Sequence, residues 1–273
     1  MNPRLGFFGS TNEIEAISAA GYDCIEMQVN WIANLGETEF KDACRRLQDS
    51  ALVCEILDNP VPLDKVVADE SFDLDFYQNY LAIGADRAAQ MGVKYYIFGN
   101  GRTRSIPSSG DVEAAKAKNL AFIRMMADIT AKRGITILIE PLAPRVSNVI
   151  LGIQDALDYI DVVGKPNLGT FLDYRWFLVQ NHPIQDIEKF GQFIRHVHID
   201  NPTTDFPRRL VPHVNDGHDY SGLFQALDSI NYDGIISIEA NTFTNFEQDL
   251  RDGIVFFRHF GLIPQRFSKT NNS

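Results

Sequence analysis

Apolar residues recur along this chain in two alternating rhythms. Short runs rich in β-branched and aromatic residues, of the kind that pack as buried strands, are separated by longer stretches of helical period. The strand-like runs are RLGFF (4–8), DCIEM (23–27), LVCEIL (52–57), KYYIFG (94–99), ITILIE (135–140), LGTFLD (168–173), HVHID (196–200) and GIISIEA (234–240). Between them lie helix-like segments such as TEFKDACRRLQDS, FDLDFYQNYLAIGADRAAQM and DVEAAKAKNLAFIRMMADITAKR. Gly21, Gly92, Gly134 and Gly234 precede strands at places where a left-handed residue would close the preceding helix. The segments GYDCIEM and NYDGIISIE echo each other at this helix-to-strand turn, as expected of a reused unit.

Eight strand–helix units in 273 residues, with no linker between them, predict an α/β fold of the (β/α)8 TIM-barrel type. The expected organisation is one domain over residues 1–265, followed by a polar, disordered tail, 266–273. A doubly wound sheet would carry a glycine-rich phosphate loop after its first strand, and GFFGSTNE matches that pattern poorly. A formal net charge of −11 argues against nucleic acid or an anionic membrane as partner. No apolar run approaches the ~20 residues needed to span a bilayer. The opening MNPRLGFFGSTNE lacks the apolar core of a signal peptide, so a cytoplasmic location is expected. Cys24, Cys44 and Cys54 are odd in number and lack a CxxC spacing, which fits buried apolar cysteines in a reducing compartment.

Barrel enzymes place their chemistry at the C-terminal ends of the strands. Side chains alternate between faces along a strand. If Ile135, Ile137 and Ile139 face the helices, Thr136, Leu138 and Glu140 face inward. The same alternation turns Gly169, Phe171 and Asp173, then His196 and His198, then Ser237 and Glu239 to the interior. Four consecutive strands, the fifth to the eighth, thus each end in an inward ionisable residue: Glu140, Asp173, His198 and Glu239. Crowded carboxylates repel and raise one another's pKa unless a cation compensates them. Three carboxylates and one imidazole suit Mn²⁺, Mg²⁺ or Co²⁺ better than a structural zinc. The alternative from pattern alone is a rim of solvated charges with His198 as a core histidine.

The order and spacing of ILIEPL…SN, LGTFLD, HVHID and YDGIISIEA resemble the xylose-isomerase-like TIM-barrel superfamily. The similarity is strongest to its sugar isomerase/epimerase branch, which includes the D-tagatose and D-psicose type ketose 3-epimerases. FGNGRTRSIP (98–107) is similar to the glycine-rich loop after strand four of these proteins. The resemblance implies an isomerase binding one divalent metal, Mn²⁺ foremost, through Glu140, Asp173, His198 and Glu239. It also implies that Glu140 and Glu239 act as an acid–base pair on a keto-sugar through an enediolate. Homodimers or tetramers are the expected assembly by analogy.

The chain departs from the family pattern at two places. Val146 stands where a second glutamate is usual after strand five. Trp176 stands where LD-x-x-H has its histidine. Both changes make the pocket more apolar, so a glycoside or aryl-bearing keto-sugar is a candidate substrate beside simple ketohexoses. Trp176 is expected either to stack on substrate or to fill the core. Further candidates for contact with substrate are Glu26, Arg104, Arg208 and His196. Glu26 and His196 serve equally well as hydrogen-bonding groups behind the metal ligands. Arg104, Arg208 and Arg209 are read either as solvated loop residues or as grips for an anionic group. In RHVHIDNP, His198 is the expected ligand and Asp200 the start of a loop. A metal-dependent lyase and a non-catalytic binding subunit are the alternative functions. A repair endonuclease is disfavoured by the charge and by the absence of histidine before residue 180.

Overall fold

The eight expected strands all form, within two residues of their expected ends, in a computed structural model that describes residues 1–268. They are β1 (Arg4–Phe8), β2 (Cys24–Gln28), β3 (Val53–Asp58), β4 (Tyr95–Phe98), β5 (Thr136–Ile139), β6 (Leu168–Asp173), β7 (Ile194–Ile199) and β8 (Ile235–Ile238). Their hydrogen-bonded order, β1 through β8 and back to β1, is a closed parallel barrel of the (β/α)8 type. The helices between them begin and end on local signals. Asp73 and Asp111 accept hydrogen bonds from first-turn amides of the helices Leu74–Met91 and Val112–Ala131. Gly21 and Gly92 end helices in the left-handed region, at φ 114° and 85°. Gly234 does not act in this way. Asn231, at φ 52°, makes the left-handed turn after the helix Ser221–Ser229. Gly234 is instead pressed against Tyr232, whose hydroxyl would lie 2.4 Å from an added Cβ.

Packing divides the chain into two compact units. The first comprises Met1–Glu26, Arg45–Cys54 and the chain from Leu172 onward. In it β1 pairs with the start of β2 (Gly6↔Cys24) and with β8 (Gly6↔Ser237), and β7 pairs with β8 (His198↔Ser237). Gly6 is required by closeness rather than by backbone conformation, since a Cβ there would sit 2.5 Å from Ser237 Oγ. The helix Phe246–His259 lays Leu250, Ile254, Phe256 and Phe257 into the core of this unit. The Tyr22 hydroxyl donates to the Leu250 carbonyl at 3.0 Å.

The second unit comprises Met27–Cys44 and Glu55–Phe171. It carries β4 between β3 and β5, with Ile97 opposite both Asp58 and Leu138, and then the start of β6 (Ile139↔Thr170). Burial of Tyr96, Ile97, Phe98, Ile137, Leu138 and Ile139 at 0–1% explains why these strands read as near-continuous apolar runs.

Observations outside the barrel bear on three further expectations. The cysteines are free thiols, with Cys24 and Cys54 buried and Cys44 half-buried. Among the described residues, no helix is long and apolar enough to cross a membrane. The expected tail begins instead with structure: the helix Gln265–Ser268 includes Arg266, whose Nε donates to the Gly21 carbonyl at 3.1 Å. The rest of that tail, 269–273, lies outside the described residues.

Candidate active site

β7 contributes two histidines that point the same way because they are two residues apart on a strand. Both rings meet Glu26, near the end of β2. His196 Nε2 is 3.1 Å from Glu26 Oε2, and His198 Nε2 is 2.8 Å from Glu26 Oε1. The other nitrogen of His198, Nδ1, is 3.1 Å from Glu239 Oε2, just past the end of β8. His198 is therefore clasped between two carboxylates, whereas His196 lies one step deeper and meets only Glu26 of the two. Burial alone would lower the pKa of both imidazoles. At His196 it does so. At His198 the charges of Glu26 and Glu239 outweigh burial and hold the ring well above the ordinary histidine value. In return, burial would raise Glu26, but His198 and His196 keep it well below the usual carboxylate range.

Asp173 ends β6 and also caps the helix Tyr174–Val179. Its Oδ1 accepts the Trp176 amide at 3.1 Å, and its Oδ2 accepts Arg209 Nη2 at 2.7 Å. Arg209 Nη1 lies 3.0 Å from Glu239 Oε2 and 3.4 Å from Asp200 Oδ2. The face of this guanidinium rests on Trp176, 5.2 Å from the ring centroid. Within the first unit the carboxylates Glu26, Asp173, Asp200 and Glu239 thus outnumber the guanidiniums Arg175 and Arg209, all of them buried except Glu239. Burial pushes the Asp200 carboxyl up to about 7 against the opposing pull of Arg209 and Arg175. Glu239 is the most exposed of these acids, its side chain at 21% against 0–1% for Glu26, Asp173 and Asp200.

Glu140, in the second unit, follows β5 and is 6% exposed. Its carboxylate fills the space left by Gly99, where an added Cβ would stand 2.0 Å from Glu140 Oε2. Its main-chain carbonyl accepts Arg104 Nη2, whose Nη1 donates to the Phe98 carbonyl at 3.2 Å. Within the first unit, Glu26, His196 and His198 offer ligand atoms within 4.8 Å of one another, and Asp173 and Glu239 add two further carboxylates about Arg209. The donor set is rich in carboxylate oxygen, buried and short of positive charge, which fits a hard divalent cation.

For several side chains the structure selects between expected places or departs from them. Arg104 is not solvated: it is 2% exposed, and its two Nη atoms donate to main-chain carbonyls. Arg208 is exposed, and its neighbour Arg209 is the arginine among the carboxylates. Asp200 does not simply open a loop. It is buried and takes Arg175 Nε at 2.6 Å. Trp176 is 3% exposed, covered edge-on by Phe206 at 5.1 Å, so its ring fills the core and backs Arg209. Arg175 and Asp200 were missed as site residues. The signal available was a charged pair inside otherwise apolar strand-end segments, LDYRW and HVHID.

A model of the xylose isomerase-like TIM barrel family matches residues 14–260. The chain belongs to that family. Fructoselysine 3-epimerase of Escherichia coli O157:H7 is 24% identical over 142 residues, 52% of this chain and 50% of that protein. The 2-oxo-tetronate isomerase of Cupriavidus necator is 30% identical over 137 residues, 49% of this chain and 51% of that protein. The chain therefore spans about half the length of these relatives. A crystal structure of D-psicose 3-epimerase in the presence of D-fructose superposes with a TM-score of 0.78 at 16% identity, covering 94% of this chain and 99% of that one. At that identity the superposition speaks for the shared fold.

Proposed function

We propose that this member of the family is a divalent-metal-dependent keto-sugar epimerase or isomerase. Glu140, Asp173, His198 and Glu239 would hold the ion, with Mn²⁺ the first choice and Mg²⁺ or Co²⁺ as alternatives. The observation that carries this reading is the clasp on His198. Glu26 takes Nε2, which fixes the ring and leaves Nδ1 directed toward Glu239. Glu239 joins that clasp at the end of the strand next to β7 in the barrel. Two of the four proposed ligands, His198 and Glu239, thus meet at one nitrogen, oriented by a second carboxylate, Glu26, from behind.

When bound, the ion supplies Lewis-acid polarisation of a carbonyl and its neighbouring hydroxyl. The remaining work falls to the chain's own side chains. Glu239, the accessible carboxylate, takes or returns a carbon-bound proton beside the ketone, and Glu140 serves the opposite face of the enediolate. Positioned groups of this kind contribute roughly 10²–10⁴-fold each. Arg209 presents a buried guanidinium that touches both Asp173 and Glu239, and it grips substrate oxygens at the mouth of the site. The names of the relatives, fructoselysine 3-epimerase and 2-oxo-tetronate isomerase, support the reaction class. The partner is a small keto-sugar or glycoside, and a homodimer or tetramer is the proposed assembly.

The test is incubation of Mn²⁺-supplemented protein with a ketose panel in D₂O, read by NMR. Deuterium at a carbon beside the carbonyl in an isomeric product supports the proposal. An unsaturated product would assign a lyase instead, and no exchange with any ketose would leave the binding-subunit alternative.

A further inference from the structure

The turn that carries Asp173 holds the guanidinium of Arg209 by more than one route. Asp173 accepts it directly, and Trp176 lies under its face. Arg175, between them in sequence, points elsewhere and is itself buried at 2% exposure. Its fork is fully engaged: Nε donates to Asp200 Oδ2 at 2.6 Å, Nη1 to the Thr204 carbonyl at 2.6 Å, and Nη2 to Thr204 Oγ1 at 3.0 Å and to the Asn201 carbonyl. The Asp200 oxygen it holds is the same Oδ2 that Arg209 Nη1 approaches at 3.4 Å. The Thr204 hydroxyl lies 2.9 Å from the Asn201 carbonyl and 3.1 Å from the Arg208 carbonyl, one residue before Arg209, so its single hydrogen is shared between the two ends of this loop. The backbone of Arg209 is fixed from the other side, its amide donating to Asn241 Oδ1 at 2.9 Å and its carbonyl accepting the Asn241 and Thr242 amides. Arg175 therefore meets the segment leading to Arg209 at Asp200, Asn201 and Thr204. A buried charge is costly unless it is fully paired, so a cation with this many partners is one the fold has been built around.

We propose that Arg175 is a positioning residue. Through Asp200 and the 201–208 loop it sets the guanidinium of Arg209 flat on Trp176 and against Asp173 and Glu239, and so governs how tightly the site grips a keto-sugar. This rests on the proposed epimerase reading only for what Arg209 does, not for where it is held. A lysine at 175 keeps the charge but has a single ammonium in place of a planar fork, so it cannot hold Asp200 and both loop carbonyls together.

Trp31 and Trp176 are the chain's two tryptophans. In a Trp31→Phe background the fluorescence of Trp176 therefore reports on the stacked guanidinium without any need for activity. Four proteins in that background, the parent, Arg175→Lys, Arg209→Lys and the double variant, form a cycle. Acrylamide quenching of Trp176 is expected to rise in Arg175→Lys to the level of Arg209→Lys, and the double variant is expected to rise no further. With a ketose that the parent converts, Arg175→Lys should raise KM about tenfold with kcat nearly unchanged, the signature of lost uniform binding. Parental quenching in Arg175→Lys, or losses that simply add in the double variant, would overturn the proposal. If Arg175→Lys does not fold, Asp200→Asn breaks the link between the two arginines and takes its place in the cycle. Its quenching then decides in the same way: equal to Arg209→Lys in support, parental against. A parent that converts no ketose counts against the epimerase reading, while the quenching comparison still decides the positioning role.

Discussion

The loops after β4 and β7 each bury an arginine, and the two arginines do different work. Arg104 gives its guanidinium to the main-chain carbonyls of Phe98 and Glu140, so it joins the ends of two strands. Burial lowers its pKa to about 10, with Glu140 and Tyr159 pulling the other way. Arg209 gives its guanidinium to Asp173, Asp200 and Glu239. Neutral acceptors on the backbone make the first a brace. Carboxyl acceptors, of which Asp173 and Glu239 are candidate ligands, tie the second to the proposed chemistry. The lesson is that burial of a charged residue does not mark a functional site; the kind of partner does.

The contrast fails if the two arginines respond alike to removal. Arg104→Met deprives two buried carbonyls of a charged donor, and should cost roughly 3 kcal/mol or more in urea unfolding. The next largest effect tests the same distinction within one strand. His198→Ala should lower Mn²⁺ affinity by about 100-fold or more in calorimetric titration, whereas His196→Ala should change it by no more than about tenfold. Equal losses would mean that both rings bind the ion. Arg209→Gln comes third. It should cost stability too, because buried carboxylates lose their cation, but unlike Arg104→Met it should also raise ketose KM about tenfold and strengthen Mn²⁺ binding by removing a competing cation from Asp173 and Glu239.

The smallest effect belongs to a half-buried surface arginine, paired with an exposed carboxylate, that sets the zero of the comparison. Arg46 hydrogen-bonds Glu15 through Nε at 2.6 Å, and this bond lowers the Glu15 pKa from 4.5 to about 2. A depressed carboxylate stabilises the fold above pH 4.5 and loses that contribution as pH falls toward 2. The Glu15 side chain is 61% exposed, so solvent screening should hold the effect below about 1 kcal/mol. Arg46→Ala should therefore move the unfolding midpoint slightly at pH 7 and not at pH 2.

Much of this arrangement was legible in the residue pattern, for a physical reason. Strand period two, applied to LGTFLD and HVHID, turns Asp173, His196 and His198 to one face. The contacts of Asp173 with Arg209 and of both histidines with Glu26 follow from it. What period cannot supply is a partner from another loop. Asp200 reads as a loop residue until Arg175, 25 positions earlier, is brought against it. Arg208 and Arg209 are equivalent as sequence, and only the backbone bonds from Asn241 and Thr242 turn the second of them inward. Likewise Gly234 carries the mark of a helix cap, yet Asn231 takes the left-handed turn and Gly234 is required by the Tyr232 ring.

The central claim is that Glu140 and Glu239 exchange a carbon-bound proton of a keto-sugar, and deuterium incorporation in D₂O tests it most directly. Glu140→Gln and Glu239→Gln should each retain the fold by circular dichroism and lose at least about 100-fold in exchange rate relative to the unmodified chain. Exchange at the unmodified rate in either variant would contradict it.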